Sequence, residues 1–220
     1  MLGFTVPEID RLLGPFLKLT HENFIEEITR KQKLLNGGTI TKEQKEMINE
    51  LALEDSIKAM DNAFQGVEYR DNSVGGARGD YPFLTFTFGE CTDPYAILVS
   101  ESILRVRKNG QGKKGKKHCV VFPKLVFLYV EELHGEGKPF EYLYDEAIDC
   151  RSKAMYPDYL SLSGDSIVAE IYKKYKKIIS PMGCRAYLSA WYKRGGMYPA
   201  DENDEPVFIG RANIGRKCAA

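Results

Sequence analysis

Apolar positions along the first third of the chain recur at helical spacing. Val6-Pro7-Glu8-Ile9-Asp10-Arg11-Leu12-Leu13 reads as a short amphipathic helix with Pro7 in its first turn. Pro15 and Thr20 then interrupt. Phe24, Ile25, Ile28 and the Leu34-Leu35 pair predict a second helix over 21–35, stopped by Asn36-Gly37-Gly38. Thr41 with Gln44 fits a capping box and opens the longest helix, about 42–65. Its apolar positions are Met47, Ile48, Leu51, Ile57, Met60, Ala63 and Phe64. This first third therefore reads as all helix, serving either as core or as a subunit interface.

The pattern changes near Asp71. Val74-Gly75-Gly76-Ala77-Arg78-Gly79 lacks P-loop spacing and reads as a flexible turn rather than a phosphate cradle. Phe83-Leu84-Thr85-Phe86-Thr87-Phe88 is strand-like, and Asp93-Pro94 opens a helix running to about Arg107. Together they start a βα unit. Cys91 lies at the strand's C-terminal end, where site residues often collect, but it reads first as a buried structural thiol and only second as a site residue. Lys108 to His118 is basic and glycine-rich. It is a solvated loop or, through Lys113, Lys114 and Lys116, a contact for nucleotide phosphates.

Val120 to Val130 is nearly continuously apolar, as in a strand covered on both faces, with Pro123 placing its start at Lys124 or marking a bulge. A helix over 140–155 follows, with Cys150 packing in it. A short strand over 158–162 comes next, then a helix capped by Asp165 or Ser166 and running to about Lys177. Its terminal lysines suit the helix dipole without any ligand. Tyr187 to Tyr192 carries the single tryptophan, Trp191. Residues 201–204 form a polar connector, and 207–215 resemble the start of a further strand.

Between the last helix and Tyr187 lies Ser180-Pro181-Met182-Gly183-Cys184-Arg185. Pro181 restricts itself and Ser180, and Gly183 permits a tight turn, so the expectation is a short, stiff loop with a thiol near its tip. Arg185 would favour a thiolate. Taken alone, this stretch reads more readily as a surface turn that happens to hold a cysteine.

Composition narrows the classes. The 220 residues are 43% hydrophobic and 28% charged, with 31 basic and 31 acidic side chains. That is a globular composition with no overall field toward nucleic acid or membrane. The N-terminal residues lack a secretory pattern, and no run of about 18 apolar residues predicts a membrane span. The five cysteines are scattered without a C-x-x-C pair. This argues against a disulfide framework or a zinc ribbon, and for a reducing, cytoplasmic compartment.

Five segments in order resemble the anaerobic, glycyl-radical class of ribonucleotide reductases: Pro82-Phe83 through Gly89 with Thr92; Phe122-Pro123-Lys124-Leu125-Val126-Phe127; Met155-Tyr156-Pro157-Asp158; the cysteine segment; and Gly210-Arg211-Ala212-Asn213-Ile214-Gly215. The resemblance implies part of a ten-stranded α/β barrel over 71–220, with a central finger loop around 179–190. A helical segment over 1–70 would precede it as a possible dimer or effector surface. It implies that Cys184 becomes a thiyl radical that takes the ribose 3′ hydrogen of a ribonucleoside triphosphate. Ser180, Met182, Gly183 and Asn213 would then lie near the substrate.

It also implies a glycyl radical installed by a radical-SAM activating protein with a 4Fe–4S cluster and S-adenosylmethionine. ATP and deoxynucleotide effectors, a homodimer, and formate or a dithiol as reductant belong to the same picture. The family's glycyl-radical segment, cysteine-rich zinc site, ATP cone and first barrel strand with its partner cysteine have no match here. The chain is accordingly read as an internal piece, ending at a frameshift or scar, inactive alone and holding no cofactor. The alternative is a non-catalytic nucleotide-binding or interaction module. A formate-lyase-like enzyme is disfavoured because Cys184 has no adjacent thiol.

Overall fold

The computed structural model describes residues 3–35, 38–73, 83–113, 115–176, 178, 180–182, 186–189 and 207–210. Strand β1 (Gly3–Val6) leads into helix α1 (Ile9–Leu35), which is followed by α2 (Lys42–Ser73) and β2 (Phe83–Phe88). Helix α3 (Pro94–Asn109), the hairpin β3 (Gln111–Lys113) and β4 (Lys116–His118), and β5 (Lys124–Tyr129) come next. The chain continues through α4 (Glu131–His134), α5 (Glu141–Lys153), β6 (Asp158–Ser161) and α6 (Ile167–Tyr175). It reaches β7 (Pro181–Met182), β8 (Ala186–Ser189) and β9 (Val207–Gly210).

Strands β1, β2, β5 and β6 form a parallel sheet in that order, and β7, β8 and β9 form an antiparallel one. The architecture is mixed helix and parallel-sheet α/β. The described strands form open sheets, and the expected ten-stranded barrel is not seen closed among them.

Alternation along the strands sorts the two faces of the parallel sheet. Phe86, Phe88, Leu125 and Phe127 face α1, α2, α3 and α5. They share one core with Leu17, Phe64, Val99, Ile103, Leu104, Leu143, Ala147 and Cys150. Phe88 and Phe127 are fully buried and meet edge to face at 5.7 Å. Each such burial contributes about 1.5–3 kcal/mol. Thr85, Thr87, Val126 and Leu128 point to the opposite face, where Leu128 joins Val130 and Leu162 beneath Val168 and Tyr172.

Several local expectations hold for the stated reasons. Thr41 and Gln44 close the capping box reciprocally, at 3.0 and 3.3 Å. Asp93 caps α3 by accepting the Tyr95 and Ala96 N–H groups. Ser166 caps α6. Strand β5 begins at Lys124, just after a cis Phe122–Pro123 bond.

Others are corrected. The first third is not all helix, because Gly3–Val6 pairs with β2 in register Thr5↔Thr85. Four residues are too few to show a period, and only the neighbouring strand makes them a strand. Helix α1 is continuous through Pro15 rather than broken there. Pro15 forfeits one hydrogen bond, and close packing on α3 offsets the loss. A Cβ on Gly14 would stand 3.2 Å from the Ala96 backbone nitrogen.

Helix α2 runs on to Ser73 because its last turns make buried contacts outside the helix. Glu68 accepts the Arg107 Nε–H at 2.6 Å, and the Asn72 side-chain Oδ1 accepts the Val121 and Phe122 N–H groups. The basic stretch 111–118 is a hairpin rather than a loop. Its Gly112, at φ +123°, lies so near the Lys116 carbonyl that a Cβ would approach within 2.5 Å.

Candidate functional site

Parallel strands deliver their C-terminal ends to one edge, and there the chain turns into its loops. At that edge Asp10, on the first turn of α1, is buried against the end of β2. It accepts Gly89 N–H at 2.8 Å, Ser100 Oγ–H at 3.0 Å and Arg11 N–H at 2.9 Å. Burial pushes its carboxyl up to about 6 against those three bonds. His134 is buried at the same edge, and its Nδ1 accepts the Val130 N–H at 3.1 Å. Burial holds its imidazole down at about 4, so it is neutral near pH 7. Asp10 is held by neutral donors, whereas the nearby Glu90 carboxylate pulls against the effect of burial on His134, and both groups reinforce strand ends.

A cleft of about 650 Å³ opens over this edge, lined among others by Arg11, Glu90, Cys91, Ser163, Tyr172 and Lys173. Glu90 organises it. One carboxylate oxygen accepts Arg11 Nη2 at 2.6 Å and the other accepts the Tyr172 hydroxyl at 2.7 Å, tying α1 to α6. Cys91 is a free, half-buried thiol, and burial pushes it up, which keeps it protonated. The cleft mixes cations and acids and carries no one sign of charge.

Ser180 does not line this cleft. It lies against the other face of β2, where its hydroxyl is 3.2 Å from Thr87 Oγ1. The next residue, Pro181, offers its carbonyl to the Thr5 hydroxyl at 3.1 Å. Thr87 Oγ1 also accepts the Glu8 N–H at 2.9 Å. Beyond Pro181 the backbone pairs antiparallel, with Met182 opposite Ala186.

Of the residues expected at the site, Cys184, Gly183 and Asn213 lie outside the described residues, as do Arg185 and the 74–79 loop. Lys113 and Lys116 face each other across the hairpin, exposed, while Lys114 between them is outside the described residues. That hairpin follows the C-terminal end of α3, so it lies away from the strand edge that carries Asp10 and Glu90. Among the described residues, no group of three or more His, Cys, Asp or Glu side chains could hold a metal ion, and no helix is long and apolar enough to cross a membrane.

Sequence reasoning missed Thr5, Thr87, Arg11, Glu90 and Tyr172. A signal existed for Thr87: in Phe83–Phe88 both threonines fall on one side of the alternation, opposite the phenylalanines at 86 and 88. For the others, only the fold brings distant positions together.

Fold and geometry define an α/β protein with polar side chains gathered at the C-terminal ends of a parallel sheet and with Ser180 and Pro181 held against its second face. The family model described as anaerobic ribonucleoside-triphosphate reductase matches residues 3–216, and the chain belongs to that family. It is 35% identical over 219 residues to the anaerobic ribonucleoside-triphosphate reductase of Escherichia coli K12, covering 97% of this chain and 26% of that protein. The same-named protein of Salmonella typhimurium is 34% identical, with coverage of 97% and 26%. That of enterobacteria phage T4 is 30% identical, with coverage of 97% and 31%. The chain thus spans about a quarter to a third of the length of these relatives.

Proposed function

We propose that this chain supplies the cysteine-bearing part of an anaerobic ribonucleoside-triphosphate reductase. The observation that carries the reading is the family match, which runs through Ser180-Pro181-Met182-Gly183-Cys184-Arg185 and on to residue 216. In this reading the sheet is one portion of the family's α/β barrel, and the loop around Cys184 projects toward its centre. Cys184 gives up its sulfur-bound hydrogen atom, and its sulfur then takes the 3′ hydrogen of the ribose. The 2′ hydroxyl leaves as water, and formate or a dithiol supplies the two electrons that complete reduction. A glycyl radical, installed by a radical-SAM activating protein, supplies the oxidising equivalent when present, from residues that match nothing in this sequence.

The chain's own part is positional. A hydrogen-atom relay needs its thiol within contact of both partners, and a misplacement of about 1 Å can cost a hundredfold in rate. Ser180, Met182, Gly183 and Asn213 are proposed to line the sugar site. Arg185 is not needed as a thiolate activator, because the reacting bond is S–H. Lys113, Lys114 and Lys116 are proposed contacts for nucleotide phosphates. Residues 1–70 are proposed as a homodimer or effector surface for ATP and deoxynucleotides. An exposed apolar row on α1, Leu12, Phe16 and Leu19, supports that assignment. Free Cys91, Cys119 and Cys150 fit a reducing cytoplasm.

The test is Cys184→Ala in the full-length reductase, assayed anaerobically for deoxynucleotide formation and for effector binding. Loss of reduction with effector binding intact is expected. Retained reduction would remove the reading.

A further inference from the structure

We propose that Thr5 and Thr87 are positioning residues that hold the base of the Cys184 loop from two adjacent strands. The inference rests on the reading of Cys184 as the reacting thiol. The two side chains lie on the same face of the sheet, since Thr5 pairs with Thr85 and Thr87 follows two residues later. Each reaches a polar group at the start of the loop. Thr5 Oγ1 donates to the Pro181 carbonyl at 3.1 Å, and Thr87 Oγ1 meets the Ser180 hydroxyl at 3.2 Å. Proline has no N–H, so its carbonyl is the one hydrogen-bonding group that Pro181 offers.

The contacts are directional as well as close. Glu8 N–H occupies an acceptor site of Thr87 Oγ1 at 2.9 Å. Thr87 keeps its hydroxyl hydrogen and a second acceptor site for Ser180, so either hydroxyl can donate in that pair. Thr87 is fully buried. Threonine is β-branched, so its χ1 is stiff and the hydroxyl is held rather than sampled. Two anchors on different strands constrain both the distance and the tilt of a segment whose cysteine comes three residues after Pro181.

Strand propensity does not call for these hydroxyls. Valine has the same shape and suits a strand at least as well, whereas a buried hydroxyl is costly unless bonded. Beside both anchors, Thr85 carries a buried hydroxyl that finds no hydrogen-bond partner among the described residues. The row Thr5, Thr85, Thr87 is thus a polar stripe facing the segment that leads to Cys184.

The experiment uses the full-length protein with Thr5→Val, Thr87→Val and the conservative Thr5→Ser and Thr87→Ser. Iodoacetamide alkylation is followed peptide by peptide, before activation. Cys150, fully buried in the helix-side core, reports global opening, and exposed Cys119 reports reagent activity. Each valine variant is expected to change the Cys184 rate by about fivefold, the population shift that one hydrogen bond's usual net contribution carries. Cys150 and Cys119 should not change, and the serine variants should restore the original rate.

After activation, kcat should fall about tenfold or more in the valine variants with KM nearly constant, as for a misplaced reacting group. An unchanged Cys184 rate in both valine variants overturns the proposal, and so does a parallel rise at Cys150. Thr87→Val also strips Glu8 N–H of its acceptor, so if it fails to fold, Thr5→Val and Ser180→Ala decide by the same readout. The two failures separate cleanly. A Cys184→Ala protein that still reduces ribonucleotides removes the radical reading while leaving the alkylation result standing as loop geometry.

Discussion

Asp10 accepts the backbone N–H of Gly89 at 2.8 Å, joining the first turn of α1 to the residue that follows β2 across 79 positions of sequence. The bond lets a buried carboxylate organise the strand end, and it makes stability at that edge depend on pH. Asp10 is raised from 3.8 to about 6. Its contribution is therefore full below pH 4 and is lost as pH rises through 6. His134 is lowered from 6.5 to about 4, so its contribution is full above pH 6.5 and is lost as pH falls through 4. Each amounts to on the order of 2–3 kcal/mol, and they oppose each other over the same window.

Asp10→Asn should therefore gain stability relative to the parent at pH 7 compared with pH 4, while His134→Gln should show the reverse slope. Urea unfolding of both variants across pH 4–7 reads this directly. Asp71, raised to about 6 by burial against the pull of Arg107, titrates alongside Asp10 and is unaltered in both variants. Parallel slopes for the two variants would contradict the assignment.

Gly89 is also tightly confined. Its φ is +107°, and a Cβ there would lie 2.8 Å from the Phe127 ring. Gly89→Ala should cost about 2–4 kcal/mol from strain and overpacking together. Loss of near-UV circular dichroism at lower temperature measures it. An alanine tolerated within about 0.5 kcal/mol would mean that this turn is not held as described.

The Arg107–Glu68 pair is buried, with Nε to Oε1 at 2.6 Å, and Arg107 Nη2 also donates to the Pro123 carbonyl at 2.7 Å. Arg107→Met strands a buried carboxylate and should cost about 3–5 kcal/mol. The double variant Arg107→Met/Glu68→Met should recover most of that loss. Additive losses in denaturant titrations would show that packing of each side chain, rather than the ion pair, sets the cost.

Lys113 and Lys116 face each other on an exposed hairpin away from the strand edge. Replacing both with glutamate should leave folding within about 0.5 kcal/mol, as for exposed positions. In the full-length reductase, nucleotide binding should weaken if these lysines touch phosphates. Calorimetric titration with triphosphates at two salt concentrations separates a specific contact from a general field.

Periodicity and end signals alone were enough for much of the chain. The threonine–glutamine box at 41–44, the Asp93-Pro94 start of α3, the apolar runs of β2 and β5 and the cap of α6 are local chemistry, complete within a few residues. The five segments that resemble the reductase family were likewise readable one after another. What local pattern could not decide was partnership. Gly3–Val6 is a strand only because β2 lies beside it, and α1 runs on through Pro15 where Gly14 packs closely on Ala96.

The same holds for the site. The order Ser180-Pro181 names a stiff loop, yet nothing nearby says that Thr5 and Thr87 reach it from 176 and 93 positions away. Hydrogen bonds of that range depend on strand order and register. Those are set by which apolar faces bury together, so they are decided by the folded molecule as a whole.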